Sequence, residues 1–491
     1  MSRVACLLIA AALLWPTPAR SDEAVKKNGP SKKNEPAASL PAEEPRRHQW
    51  PSWRGPLQTG VAPHGTPPVE WSETQNVRWK IELPGHGHAT PVIWGEHLFL
   101  TAAAPTGEGF EPVMAEAPGA HDNAPVTHKH DYLVLAVDRS TGDIAWQKTV
   151  RSEVPWQGMH RSGSYASPSP VTDGEVVVAS FGSQGVHALD AGGKMLWQRD
   201  FGRMRVKHAH GEGSSLALYG DSVLVVWDHE GPSFLAALDR RTGQDRWKVE
   251  RDQGTSWASP LVAEMSDGRA QVVVAGTGYL RGHDLETGRE LWRAGGLSAN
   301  VVATPVFADG RVFAGSSYEH QIFFAVDLDG IEGKNPAEDL TGTDRVLWSR
   351  RRGTPYVPSP LLYDDVLYFH NHYQSVLSRV AASDGQDVPG PIRLPIRNVY
   401  GSPVAADGRV YVTDLEGTTA VLSHENPPRL LARNQLDERF ASSAALAGDA
   451  IFLRGERFLY CLARPSAAPE TAGTLSRDAS ESASSRRDSP R

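Results

Sequence analysis

Short runs of alternating apolar and polar residues, punctuated by tight-turn signals, recur along most of the chain. An inner segment of each repeat opens on Ser or Thr, usually followed by Pro: Thr90-Pro91, Ser169-Pro170, Ser215-Leu216, Ser259-Pro260, Thr304-Pro305, Ser359-Pro360, Ser402-Pro403 and Ser443-Ala444. These starts lie 79, 46, 44, 45, 55, 43 and 41 residues apart, and insertions near residues 103–131 and 329–343 account for the two long gaps. Each start leads through an apolar stretch to a turn such as Asp173-Gly174, Asp309-Gly310 or Asp407-Gly408, then to a β-rich run such as Glu175-Val176-Val177-Val178. Asp-Gly supplies the positive φ that a two-residue hairpin needs.

The second half of the repeat has its own signature. Ala136-Val137-Asp138 leads through Thr141-Gly142 to Trp146, Ala237-Leu238-Asp239 through Thr242-Gly243 to Trp247, and His283-Asp284 through Thr287-Gly288 to Trp292. Ala188-Leu189-Asp190 reaches Trp197 one residue sooner. The Asp can accept amide hydrogens of its own turn, the Gly takes the left-handed position, and the Trp lands on the next strand, where it can cover a neighbouring repeat. Four short strands per repeat of about 45 residues describe a propeller blade. The eighth repeat, from Phe440 to Leu462, ends after its third strand, and Asn76-Val77-Arg78-Trp79-Lys80-Ile81-Glu82-Leu83 has the alternation of the missing fourth. The expectation is therefore an all-β, eight-bladed propeller of four-stranded antiparallel blades, closed by an N-terminal strand in the last blade.

The ends read differently. Arg3, the apolar run from Val4 to Trp15, and Ala19-Arg20-Ser21 make residues 1–21 an expected cleaved export signal, too short to span a bilayer. Residues 22–47 and 464–491 have almost no large apolar side chains and read as a disordered linker and tail, which leaves 48–463 as the propeller. The expected location is periplasmic or secreted, with no transmembrane segment. Of the two cysteines, Cys6 precedes the apolar core of the signal and is no lipid-accepting cysteine; Cys461 is a single thiol in the propeller. The whole chain carries a net charge of −8; without the two ends and the signal, 37 basic residues face 49 acidic ones, a net of −12. Such a body repels nucleic acid and anionic lipid.

The Ala-x-Asp-x-x-Thr-Gly-x-x-x-Trp segments resemble the tryptophan-docking motif of pyrroloquinoline quinone (PQQ) repeats, shared by quinoprotein alcohol dehydrogenases and the propeller subunit of the outer-membrane protein assembly machinery. Trp50-Pro51-Ser52-Trp53-Arg54-Gly55-Pro56 at the opening and Phe458-Leu459-Tyr460-Cys461 at the close resemble secreted bacterial PQQ-repeat proteins. The resemblance implies the fold more than the chemistry, because docking tryptophans join blades whether or not a quinone is bound. It also implies an envelope-complex partner as one possibility. The dehydrogenases use a calcium ion, a catalytic Asp, an Arg at the quinone, an aromatic floor and usually adjacent cysteines. This chain has no adjacent cysteines and no Cys-x-x-Cys-His haem site. Trp257 could serve as floor and Arg161 or Arg205 as quinone partner, though no recognisable set contains them.

Twelve of the 18 histidines fall in loops expected on one face, where B–C and D–A connections meet: His86, His88, His121, His128, His130, His160, His208, His210, His229, His320, His370 and His372. His86 and His88, His208 and His210, and His370 and His372 each read His-x-His, a spacing that turns both rings to one side of an extended chain and suits a divalent metal. Blades 1 to 3 are adjacent, so His88, His160 and His210 form the expected metal constellation. Tyr165, Trp257, Tyr356, Tyr400 and Phe440, each just before an inner strand, could line the same mouth or pack between blades. His229-Glu230 lacks the spacing of a zinc protease, and Gly211-Glu212-Gly213-Ser214 lies in a meander rather than a strand–turn–helix nucleophile elbow. Three readings follow. The first is a secreted non-catalytic propeller binding a protein or small molecule on its long-loop face. The second is a PQQ-dependent dehydrogenase with an atypical site, and the third a histidine-based metal binder.

Overall fold

The computed structural model describes residues 43–465 apart from 115, 335, 372–374 and 390. The export signal expected at 1–21 lies outside the described residues, as do most of the 22–47 linker, nearly all of the 464–491 tail, and His372. The described end of the linker, Glu43–Arg47, is a short helix. No helix among the described residues is long and apolar enough to cross a membrane.

Eight antiparallel sheets stand as blades around an axis. Strands are lettered A to D outward, and each A strand touches the next until blade 8 returns to blade 1. Blade 1 comprises Val92–Trp94, His97–Thr106, Lys129–Asp138 and Ile144–Glu153. Blade 8 takes three strands from Ala445–Ala447, Ala450–Arg454 and Phe458–Ala463 and its D strand from Val77–Glu82. Trp79 pairs with Cys461 and Ile81 with Leu459 across that seam, so no edge is left open between the first and last blades.

The Ser or Thr that opens each inner strand has a specific task. The amide of Thr90 donates to Ser169 Oγ, Ser169 to Ser215, Ser215 to Ser259, Ser259 to Thr304, Thr304 to Ser359, Ser359 to Ser402 and Ser402 to Ser443, all at 2.8–3.0 Å. Thr90 Oγ1 closes the circle by donating to the Ser443 carbonyl at 3.1 Å. The narrow end of each blade has no room for a fifth strand, so these buried amides are satisfied by the neighbouring hydroxyl instead. The hydroxyl recurs in every repeat because each blade presents one to the blade before it.

The outer rim is joined by indoles. Trp79, Trp146, Trp197, Trp247 and Trp348 each donate from Nε1 to a carbonyl in the next blade's C–D turn, at Arg139, Ala191, Arg240, Leu285 and Ala382, over 2.7–3.1 Å. Each ring lies on the turn glycine; a Cβ on Gly142 would come within 2.8 Å of Trp79. The turn aspartate is held by its own loop, as expected: Asp138 Oδ1 accepts from the Ser140 and Thr141 amides at 2.8 and 2.9 Å. With the Ser140 hydroxyl first among the causes, these bonds hold its carboxyl down to about 2.

Blade 5 carries the insertion expected near residues 329–343 in its C–D connection. Its insertion separates Asp327 from Thr341-Gly342, and Glu338–Asp339 adds a parallel fifth strand to the edge of blade 4. Trp292 of blade 4 is consequently buried inside its own blade, with Nε1 donating to Gln271 Oε1 at 2.7 Å.

The Trp-Pro-Ser-Trp-Arg-Gly-Pro opening fills the centre of the ring. Trp50 exchanges backbone bonds with Ile93 of blade 1, and the Pro51 carbonyl accepts from Thr172 of blade 2. Gln58 bonds both backbone groups of Val262 in blade 4. Arg54 donates to the carbonyls of Pro360 and Pro403 in blades 6 and 7, and Trp53 Nε1 to Ser443 Oγ in blade 8. A segment that touches inner strands of six blades occupies the central channel. It enters and leaves beside A–B turns, where Gln49 Oε1 accepts from Gly95 and the Thr66 amide donates to Gly448. The mouth on the turn face is thus stoppered.

Candidate functional site

The loop face holds a cavity of about 220 Å³ among the loops of blades 7, 8, 1 and 2. Its walls include His86, His88, His130, Arg161, Tyr165 and Arg439. His88 is held neutral, pushed down to about 3 by burial and then by the Arg454 guanidinium. Arg454 is itself fully buried, with Nη1 donating to the Thr101 carbonyl at 2.7 Å, and burial lowers it to about 9. Gly87 is required here, since a Cβ would fall 2.5 Å from that guanidinium. Arg161 is exposed and paired with Asp122 at 2.6 Å.

The structure brings His160 and His210 together, with ring centres 4.9 Å apart, and adds His121 and His208 to them. His88 stands outside these ring contacts, on the cavity wall. His121 and His208 were missing from the expected constellation because one sits deep in the blade 1 insertion, where no periodicity fixes its place. Of the aromatic residues expected at the mouth, Tyr165 lines the cavity and meets His130 edge-on at 4.9 Å. Phe440 instead is wholly buried against Tyr460 of its own blade.

The three residues suggested as quinone contacts stand in separate environments. Arg161 belongs to the cavity just described. Arg205 lies over the blade 3 B–C loop, its guanidinium donating to the Glu230 carbonyl at 3.3 Å. Trp257 is half-buried, its Nε1 donating to the Gly211 carbonyl at 2.8 Å and its ring packed against Gly213.

Glu212 had no signal in the sequence, since an isolated glutamate in a Gly-rich loop reads as surface. Its carboxylate is enclosed between blades 2 and 3, accepts the Ser183 amide at 2.6 Å and the Ser183 hydroxyl, and leaves no room for a side chain at Gly182. Burial pushes it up to about 7. Folding therefore favours its protonated form: the contribution is fully present below the ordinary value of 4.5 and is lost as pH rises through about 7. Glu212→Gln should gain stability relative to the parent between pH 4.5 and 7, while buried neutral histidines, whose effect runs the other way, cancel in the difference. Parallel urea titrations at each pH check this; a pH-independent difference would mean the carboxyl is solvated.

Comparison with known proteins bears on the fold. The model of the family described as outer membrane protein assembly factor BamB matches residues 67–230 and 233–466. No curated protein sequence matches. Among solved structures, BamB from Moraxella catarrhalis is 15% identical, with 74% of this chain and 98% of that chain covered at a TM-score of 0.48. The quinohemoprotein alcohol dehydrogenase ADHIIG from Pseudomonas putida HK5 is 10% identical, with 87% and 83% covered at 0.49. The computationally designed Ika8 protein is 13% identical, with 73% and 97% covered at 0.48. With the family model spanning nearly the whole ring, the chain belongs to the PQQ-repeat family described by the outer membrane protein assembly factor BamB.

Proposed function

We propose that the protein is an extracytoplasmic, non-catalytic propeller that binds a protein or small-molecule ligand through its B–C/D–A loop face. The observation that carries this is asymmetry. One mouth of the ring is closed by the chain's own residues 50–62, while the other holds the cavity and a group of exposed apolar side chains. Phe110, Val113, Met114 and Trp156 are 38%, 57%, 56% and 53% exposed on the blade 1 and blade 2 loops. Apolar area gathered beside polar loops is the usual sign of an interaction surface. Family membership supports a partner in the cell envelope, and the export signal expected at residues 1–21 supports the compartment.

The test uses the exported protein in cells, with a photoreactive phenylalanine at Phe110 or Trp156 on the loop face, or at Leu196 or Leu347 on the outer rim. Discrete adducts from the first pair alone are expected. Adducts only from the rim positions, or none from the loop face, would refute the proposed face. Purified protein reconstituted with PQQ and Ca²⁺ should leave an electron-accepting dye unreduced with alcohols or sugars; sustained turnover would instead establish the dehydrogenase reading.

A further inference from the structure

We propose that His121, His208, His210 and His160 form a binding site for one late first-row divalent ion, zinc or copper, on the loop face. This goes beyond the partner-binding reading and does not depend on it. Three of the rings make a triangle: His121 to His208 is 5.2 Å between centres, His121 to His210 4.6 Å, and His208 to His210 5.3 Å. His160 adjoins His210 at 4.9 Å. Around a tetrahedral ion with metal–nitrogen bonds of about 2.0–2.1 Å, imidazole centres lie roughly 5 Å apart, so the ring centres of the triangle, though not yet their nitrogens, have the spacing of a ligand set.

The second nitrogens of three rings are occupied in the way a metal site needs: His121 Nδ1 bonds the Gly119 carbonyl at 2.8 Å and His208 Nδ1 the Pro118 carbonyl at 3.2 Å. His160 differs, because its Nδ1 accepts the Ser162 amide at 3.2 Å beside the Ser162 hydroxyl at 2.7 Å, and binding there exchanges that amide for the ion. His210 Nε2 bonds the His121 carbonyl at 3.3 Å. A carbonyl on one ring nitrogen fixes the proton there and leaves the lone pair on the other, which is how outer partners orient metal-bound histidines. His208 Nε2 is buried without a hydrogen-bond partner.

The loops are built to hold this arrangement. Asn123–Ala124 pairs with Met159–His160, and the Asn123 amide donates to the carbonyls of His208 and Ala209 at 3.0 and 2.9 Å. The His160 amide donates to the His210 carbonyl at 3.2 Å. Asp122, His208 and Ala209 take φ of 53°, 57° and 53°, left-handed conformations that cost non-glycine residues energy and gather at functional sites.

Binding requires ring rotations, because no three of these histidines bring ring nitrogens within 4.8 Å of one another as they stand. Among the described residues only Glu44, His48 and His64, on the turn face, are so gathered. That trio is a poor chelate: His48 and His64 stack at 4.1 Å with planes 13° apart, so their in-plane lone pairs run side by side.

Untagged mature protein, stripped with a chelator, should take up one equivalent of Zn²⁺ by calorimetry and elemental analysis. Bound Cu²⁺ should show hyperfine coupling to three or four nitrogens. His121→Ala with His208→Ala should weaken binding by roughly 100-fold or more, while His48→Ala with His64→Ala and His88→Ala leave it unchanged. His121→Ala alone, at an exposed position, is a second variant that preserves the fold, expected to lose about tenfold. Uptake well below one equivalent, unchanged affinity in the His121 variants, or loss confined to the His48/His64 pair would overturn the site.

Discussion

Asp228→Ala should cost about 3–5 kcal/mol of stability, because it strands a buried cation. The side chains of Arg251 and Asp228 are 2% and 0% exposed, and the guanidinium meets both carboxylate oxygens, Nε to Oδ1 at 2.9 Å and Nη2 to Oδ2 at 3.1 Å. Ser256 Oγ adds a third bond to Oδ2 at 2.8 Å. His283 Nε2 also lies 3.4 Å from Arg251 Nη1, but an imidazole carries no negative charge and cannot replace the carboxylate. The pair joins the ends of the B and D strands of blade 3 and reaches blade 4 through Ser256 and His283. Replacing both partners by apolar residues, Asp228→Leu with Arg251→Met, should recover most of the loss, since the desolvation cost of both ions disappears with them. Urea unfolding followed by circular dichroism measures both variants. A loss under about 1 kcal/mol for Asp228→Ala would mean that water reaches the guanidinium.

Trp79→Ala should be comparably severe, about 3–5 kcal/mol, because it empties the seam where the ring closes. Trp79 is 8% exposed, its ring covers Gly142 of blade 1, and Phe452 of blade 8 lies 5.9 Å away. It is the one docking tryptophan whose strand comes from the opposite end of the propeller. Weakening it loosens the pairing of Val77–Glu82 with Phe458–Ala463 as well as the blade contact. Trp79→Phe keeps most of the ring but loses the 3.1 Å bond to the Arg139 carbonyl, and should cost only about 1–2 kcal/mol. Limited proteolysis between residues 66 and 76 reads the same event locally. Faster cleavage in Trp79→Ala, with Trp146→Ala as the non-seam control, is the expected result; equal rates would show that the seam is no weaker than an ordinary blade junction.

Residues close in sequence made the blades legible. The Asp-Thr-Gly-Trp segments encode a turn and the strand that follows it within ten residues, so the repeat and its count could be read from spacing alone. The missing fourth strand of blade 8 could be found because its alternation survives at residues 76–83. Less local features escaped. The opening Trp50–Pro56 resembled a family feature but gave no sign that it stoppers the channel, because its partners are chiefly backbone carbonyls and amides on five blades. Trp292 has the docking spacing yet turns inward, since the blade 5 insertion occupies the place where its turn would be. His88 matched its His-x-His partners but lies on a cavity wall beside Arg454.

The chain alone therefore settles what depends on neighbours along it: eight blades, their turns, and the strand that completes the last. Only the tertiary structure decides which loops meet, because that depends on the angle between blades and on short ladders such as Asn123–Ala124 with Met159–His160. Local periodicity fixes a strand's direction and the face of each side chain. The distance between two loops 90 residues apart is set by how the whole ring closes, and the gathering of His121, His208 and His210 is a property of that closure.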